Sequence, residues 1–416
     1  MGQAHVKKIM TTENNPKKTA LRLILLFGFV SLLGDIIYEG ARSVNGPYLQ
    51  VLGANAAIVG AMAGIGEFLG YALRLLSGYL SDKTKSYWTF VFLGYGMLFS
   101  VPLLSLTGFW QIAAVLILME RMGKALRSPA KDTIISQAGK QVGTGFAFGL
   151  HEAMDQIGAI LGPMIFSVAF YLLGEGQRTT LEYQRVYSFL WIPFGLLMGC
   201  IFWGYLSVPH PERLEDPKKT QEENCTKIFW LYTIFSLVTT AGFVPFILMA
   251  YHFKTKGILT DAQIPLFYAI AMAVDAVVAL VIGKVYDTLK QKQNNPKAGI
   301  NTLFVLPLFS LLIPMFAFSS DYTFAVLSVL FWGIAMAIHE TVMRSAIADI
   351  TPLKKRGTGY GIFNTSYGLG MLLGGFIMGM LYEYSTMSLI LFSLTLEILA
   401  IPIFFLLKKE TNIQAN

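Results

Sequence analysis

Arg127-Ser128-Pro129-Ala130-Lys131-Asp132, followed by Gly143-Thr144-Gly145-Phe146, returns in the second half of the chain. There it reads Arg344-Ser345-Ala346-Ile347-Ala348-Asp349, followed by Gly357-Thr358-Gly359-Tyr360. A third pair precedes these: Gly78-Tyr79-Leu80-Ser81-Asp82 against Gly283-Lys284-Val285-Tyr286-Asp287. The three matches run in the same order, at offsets of about 205 to 217 residues. Ordered recurrence at a near-constant offset is the mark of an internal duplication. Long apolar runs lead into these motifs, so the repeated unit is a bundle of hydrophobic helices.

Composition sets the medium. Of 416 residues, 54% are hydrophobic and 14% charged, with a mean hydropathy of +0.56. A soluble domain carries about 25% charged residues to cover its surface, so much of this chain faces lipid. The net charge of +7 comes from short basic clusters between apolar runs, which excludes a phosphate-binding stripe and a nucleic-acid partner. Cys200 and Cys225 give neither a disulfide framework nor a metal-ligand spacing. No phosphate-binding loop is present, so direct ATP drive is unsupported and no cofactor is expected.

A spanning helix needs roughly 20 mostly apolar residues. That rule places helices near 21–47, 52–80, 88–106, 109–136, 146–173 and 186–207, and again near 227–252, 263–286, 299–318, 322–348, 357–382 and 386–407. The expected organisation is a polar tail (1–20), a six-helix bundle (21–208), a charged linker (209–226), a second bundle (227–408) and a short tail (409–416). The first apolar stretch is too long for a signal-peptide core, so 1–20 reads as a cytoplasmic tail. Lys83, Lys85, Lys290, Lys292, Lys297, Lys354, Lys355, Arg356, Lys408 and Lys409 fall in alternate loops or tails. By the positive-inside rule those are cytoplasmic, with both termini inside and an even helix count. Arg178, Arg185, Lys254 and Lys256 break the pattern, lying in the opposite loops.

On these motifs the chain resembles the major facilitator superfamily over nearly its whole length. Gly78-x3-Asp82 with Lys83 and Lys85 resembles that family's loop motif between helices 2 and 3, without its usual second glycine and arginine. Gly158-x3-Gly162-Pro163 is partly similar to a motif of the family's proton-driven exporters. Arg121-x-Gly123-Lys124, with Arg127 and Asp132 downstream, resembles a prokaryotic branch with few characterised substrates. The resemblance implies an all-α membrane protein: twelve transmembrane helices in two pseudo-symmetric six-helix bundles, rocking about a central site. It implies that helices 1, 4, 7 and 10 line the cavity, that 2, 5, 8 and 11 join the halves, and that 3, 6, 9 and 12 face lipid. It also implies a cytoplasmic latch of Asp82, Lys83, Asp132, Asp287, Asp349 and Arg356, with Asp82 facing the start of helix 11.

The distribution of charge tests that scheme. Ionisable groups in lipid are expensive and face a cavity or one another. The spans of helices 3, 6 and 9 contain none, and helix 12 has only Glu397. Helix 1 carries Asp35, Glu39 and Arg42 on one face, with Tyr38 adjacent. Two close carboxylates in a low dielectric cannot both ionise cheaply, so Asp35 and Glu39 are candidates for proton coupling; a permanent ion pair with Arg42 or helix 4 is the alternative. Arg121 and Lys124 share a face of helix 4 and either hold those acids or bind an anionic substrate. Glu120, Arg127, His151, Glu152, Asp155 and Arg344 are expected to form a charge network, with Arg127 and Lys131 meeting the start of helix 5. His151 and Glu152 echo a zinc-hydrolase motif whose second histidine is missing, so no metal is expected. His339, Glu340, Trp332, Asn364 and Tyr367 are candidate cavity or proton-path residues from the C-terminal half. Glu67, Arg74 and Asp275 are expected at the interface as ion-pair members. Close-packing glycines (Gly60-x3-Gly64, Gly66-x3-Gly70, Gly370-x3-Gly374) fall on expected interface helices.

The reading is a monomeric, proton-coupled carrier of a small polar or anionic organic solute in the bacterial inner membrane, not an enzyme. A proton-driven multidrug or metabolite exporter is the alternative, ahead of a uniporter or channel.

Overall fold

The computed structural model describes residues 16–142, 144–174, 178–210, 227–293, 297–350 and 356–413. The expected 209–226 linker lies almost wholly outside them. The first bundle runs α1 (Pro16–Val51), α2 (Ala56–Thr84), α3 (Tyr87–Leu106), α4 (Trp110–Val142), α5 (Thr144–Leu172) and α6 (Thr180–Ser207). The second runs α7 (Lys227–Thr255), α8 (Gln263–Lys292), α9 (Ala298–Ala317), α10 (Tyr322–Ala337, Ile338–Val342 and Met343–Ile350), α11 (Arg356–Tyr384) and α12 (Thr386–Ile413). Among the described residues, eleven helices are long and apolar enough to cross a membrane. The twelfth, α4, spans 33 residues but is charged from Glu120 to Asp132. Its charge marks it as a cavity wall rather than a lipid-facing rod. Exposed apolar side chains on α6, α9 and α12 (Phe202, Trp203, Met315, Ile398, Phe405) contribute to an outward belt that α5 and α8 share through Val168 and Leu280.

Two helices depart from the regular spans expected. α7 is broken between Gly242 and Phe246, with Pro245 in extended geometry. Proline cannot donate to the preceding turn, and the freed carbonyls are taken by side chains. Ser393 Oγ donates to Gly242 O at 2.6 Å, and Trp332 Nε1 to Val244 O at 3.0 Å. Irregular backbone at membrane depth is tolerated only when satisfied in this way. α10 widens to a π-turn over Ile338–Val342, a feature concentrated at functional sites.

The glycine stripes set the helix contacts, but not all on the faces expected. α2 meets α11 across the two halves. A Cβ on Gly64 would lie 2.8 Å from Leu372 Cα, and one on Gly379 would lie 2.7 Å from Ala56 O. The α11 glycines at this crossing are Gly375 and Gly379. Gly370 and Gly374 instead pack on Thr240 and Ala241 of α7, inside their own half. Gly158 and Gly162 likewise press α5 onto α1, where a Cβ on Gly162 would sit 2.8 Å from Gly40 N. Successive helical residues turn by about 100°, so one register step moves a glycine to another neighbour.

Candidate functional site

A cavity lies between the halves. Its polar wall is N-terminal: Tyr38, Arg42, Asn45, Glu67, Arg74, Arg121 and Lys124. Its C-terminal wall is mostly apolar, with Phe243, Phe246, Trp332, Met336, Tyr367 and Met371, and includes Glu340. The α7 break turns Phe243, Pro245, Phe246 and Ile247 into this wall, as discontinuous helices do at transporter sites.

The polar wall is organised as a ladder of alternating charge. Tyr268 of α8 donates to Glu39 Oε2 at 2.6 Å, a bond that crosses between the halves. Glu39 lies 3.7 Å from Arg42, and Arg42 is 3.1 Å from Glu67. Glu67 is also 3.3 Å from Arg121, which stands 3.6 Å from Glu120. Glu120 meets Arg127 at 3.8 Å, and Arg127 donates to Gly94 O at 3.3 Å. Arg42 and Arg121 both donate to the Tyr38 hydroxyl. Three acids and three arginines therefore neutralise one another, as groups drawn from water must.

Two cavity cations stand outside the ladder. Lys124 Nζ sits 3.9 Å above the centre of the Tyr38 ring, and the Arg74 guanidinium 4.9 Å from that of Tyr71. Among the described residues neither has a carboxylate ion-pair partner. Arg121 and Lys124 thus separate: the first is directly ion-paired with acids, whereas Lys124 acts on Asp35 and Glu67 only at longer range.

A second cluster lies deeper in the first bundle. Ser31 donates to Asp155 of α5, and His151 Nδ1 is 3.9 Å from the other Asp155 oxygen. Asp35 packs on Gly158, where a Cβ would lie 2.9 Å from its own. It feels Asp155, Lys124, Glu39 and Lys131. His151, Glu152 and Asp155 offer ligand atoms within 4.8 Å of one another, but Asp155 is already engaged by Ser31 and faces the Lys131 charge, which opposes a further cation. Arg127 does not join this group as expected, because it turns to Glu120 and α3. Glu152 is exposed.

Other expected positions are redistributed. Trp332, Tyr367 and Glu340 line the cavity; Asn364 and His339 do not. His339 and Glu340 are consecutive and so face different ways: Glu340 lines the cavity, while His339 packs against Phe243 and Tyr367 with ring centres 4.8 and 5.5 Å away. Glu67 and Arg74 prove to be cavity residues. Of the expected latch, the side chains of Asp82 and Arg356 lie outside the described set, as does that of Arg344. Asp349 bonds to Lys290 at 2.7 Å and Tyr286 at 2.8 Å within its own half. Asp287, Asp132 and Lys83 are exposed.

A buried inter-half lock lies on the opposite face. Asp261, before α8, accepts from Arg178 N at 2.8 Å, from the Tyr183 hydroxyl and from Lys254 Nζ. All four residues are buried. Ser167 of α5 donates to Ala262 O at 2.7 Å beside them. Arg178 and Lys254, two exceptions to the charge pattern, are thereby explained: each is held in a buried network and not displayed to a membrane surface.

The family model of the Major Facilitator Superfamily matches residues 24–309 and 297–416. A Mycobacterium tuberculosis protein of uncharacterised function is 36% identical over 401 residues, with 94% of each chain covered. An uncharacterised MFS-type transporter of Methanocaldococcus jannaschii is 26% identical over 388 residues, covering 91% of this chain and 92% of the relative. Among solved structures, a bacterial homologue of the human lysosomal transporter Spinster, inward-facing and unoccupied, aligns with a TM-score of 0.69 at 13% identity over 95% of this chain and 98% of that one. The nucleoside transporter NupG aligns with a TM-score of 0.67 at 14% identity, over 93% and 98%. The chain belongs to the major facilitator superfamily. It is an integral membrane protein and a secondary transporter, not an enzyme.

Proposed function

We propose that this chain carries a small polar or anionic organic solute by proton-coupled alternating access, as a monomer in the bacterial plasma membrane with both termini cytoplasmic. The domain division at 209–226 belongs to the same proposal. The observation that carries it is the cavity built by both halves, whose wall holds a self-neutralising ladder and, near it, the half-buried acids Asp35 and Asp155. Asp35 and Asp155, on crossing helices, act on one another beside Lys131, and intramembrane carboxylates of this kind mark proton relays. Asp35 is the proton-bearing residue in this reading, with Lys124 between it and the cargo. Glu39 contributes by tying α1 to Tyr268 of the moving half. The Asp261 lock seals the extracellular side and opens once per cycle.

Flux into proteoliposomes under an imposed pH gradient tests this, with labelled lactate, succinate and benzoate as candidate cargoes. Gradient-driven accumulation that a protonophore abolishes is expected, and Asp35→Asn should lose accumulation while retaining exchange. Strictly downhill flow, unchanged in Asp35→Asn, would identify a uniporter or channel instead.

A further inference from the structure

Building on the transporter reading, we infer that the cargo is an amphipathic organic anion: a carboxylate on a flat apolar body, its charge held by Lys124 and Arg74. The first support is the charge count of the wall. Arg42, Arg121 and Arg127 are each matched to Glu39, Glu67 or Glu120 by ion pairs, so they offer a ligand little that is not already spent. Lys124 and Arg74 line the same cavity and rest on aromatic faces. A cation held over a ring gains less than one paired with a carboxylate in a water-poor site. An arriving anion supplies what the protein omits.

The second support is the opposite wall. Phe243 and Trp332 stack with centroids 5.7 Å apart, and Phe246 meets Trp332 edge-on at 5.4 Å. The indole N–H of Trp332 is committed to Val244 O, so that side chain presents carbon to the cavity. Met336 and Met371 add two adaptable thioether side chains, which accommodate flat apolar groups of differing outline. Glu340 is the acid on this wall; away from it, the hydroxyl groups of a sugar would face carbon unpaired, at a cost of desolvation. The anion therefore points its charge to the N-terminal half and its body to the C-terminal half, spanning the surfaces that must part during transport. Gly70 leaves room between them: it lines the cavity, and a Cβ there meets nothing within 4 Å.

Thermal-shift titration of the purified full-length protein tests the inference directly, using benzoate, benzamide, benzylamine and propionate. Benzoate is expected to stabilise most, since the amide is neutral, the amine is a cation and propionate lacks the ring. Lys124→Gln should weaken benzoate binding by roughly tenfold or more, and Lys124→Arg should restore much of it. Gly70→Leu should fill the cavity and abolish the shift without lowering the melting temperature of the empty protein. Benzylamine or benzamide matching benzoate, no shift with benzoate, or full affinity in Lys124→Gln would each overturn the inference. Proton-driven flux of a non-anionic solute would overturn it while leaving the transporter reading intact; loss of all gradient-driven flux would instead remove that reading.

Discussion

Glu67 answers two arginines at once, at 3.1 Å from Arg42 and 3.3 Å from Arg121. Removing one partner of a buried pair leaves an uncompensated charge and costs about 3–5 kcal/mol. Glu67→Gln is therefore expected to lower the melting temperature of the detergent-purified protein more than the double variant Glu67→Gln/Arg121→Gln, which removes one cation with it. Equal losses would show that the ladder is not electrostatically shared. From sequence, Arg121 and Lys124 were equivalent: two cations three residues apart on one helix face. Space and reach decide between them. Gly66 of α2 opens a groove that takes the Arg121 chain, where a Cβ would lie 3.2 Å from its Cγ, and delivers the guanidinium to Glu67. Lys124 instead ends over the Tyr38 ring. Asp35 was legible as an acid within a spanning helix, but its neighbour was not. Spacing pointed to Glu39, one turn along the same helix, whereas Asp155 arrives from another helix through Gly158.

At the level of helices, charge placement read well because an ion in lipid has few permitted positions. The charge-free spans of α3 and α9, the charge-free stretch 186–207 of α6 and the dense charge of α4 follow from that constraint alone. Breaks and registers read poorly. The Gly242 to Pro245 interruption was present in the sequence as a glycine followed shortly by proline, yet the surrounding hydropathy masks it, and it is what carries Phe243 and Phe246 into the cavity. Glycine stripes announce close helix contact without naming the partner. The structure assigns Gly64 to the contact between the halves and leaves Gly70 facing open space. Leucine at the two sites should accordingly behave oppositely. Gly64→Leu must push α2 from α11, with an overpacking penalty of roughly 1–3 kcal/mol or more, and should give a lower melting temperature. Gly70→Leu should unfold as the parent does. A parent-like Gly64→Leu would place the α2–α11 contact elsewhere.

Over the whole molecule, the duplication made two bundles legible, since paired motifs in order imply paired units. The side on which the halves are fastened was not legible. The motif resemblance pointed to the terminal face, where Asp349 in fact bonds within its own half. A fastening on the other face joins Arg178 and Tyr183 to Lys254 and Asp261; of these, only Arg178 and Lys254 stood out in the sequence, as misplaced positive charge. Loops distant in sequence meet there, and spacing gives no measure of that. The central claim, that the halves alternate about one cavity, requires this lock to open as the terminal face closes. Its most direct test is electron–electron distance measurement between spin labels at Leu181 and Thr260 on the locked face, and at Lys83 and Lys284 on the terminal face, with Cys200 and Cys225 replaced by serine. Asp261→Asn should lengthen the Leu181–Thr260 distance and shorten the Lys83–Lys284 distance in the same population. Both distances lengthening together, or neither changing, would contradict alternating access.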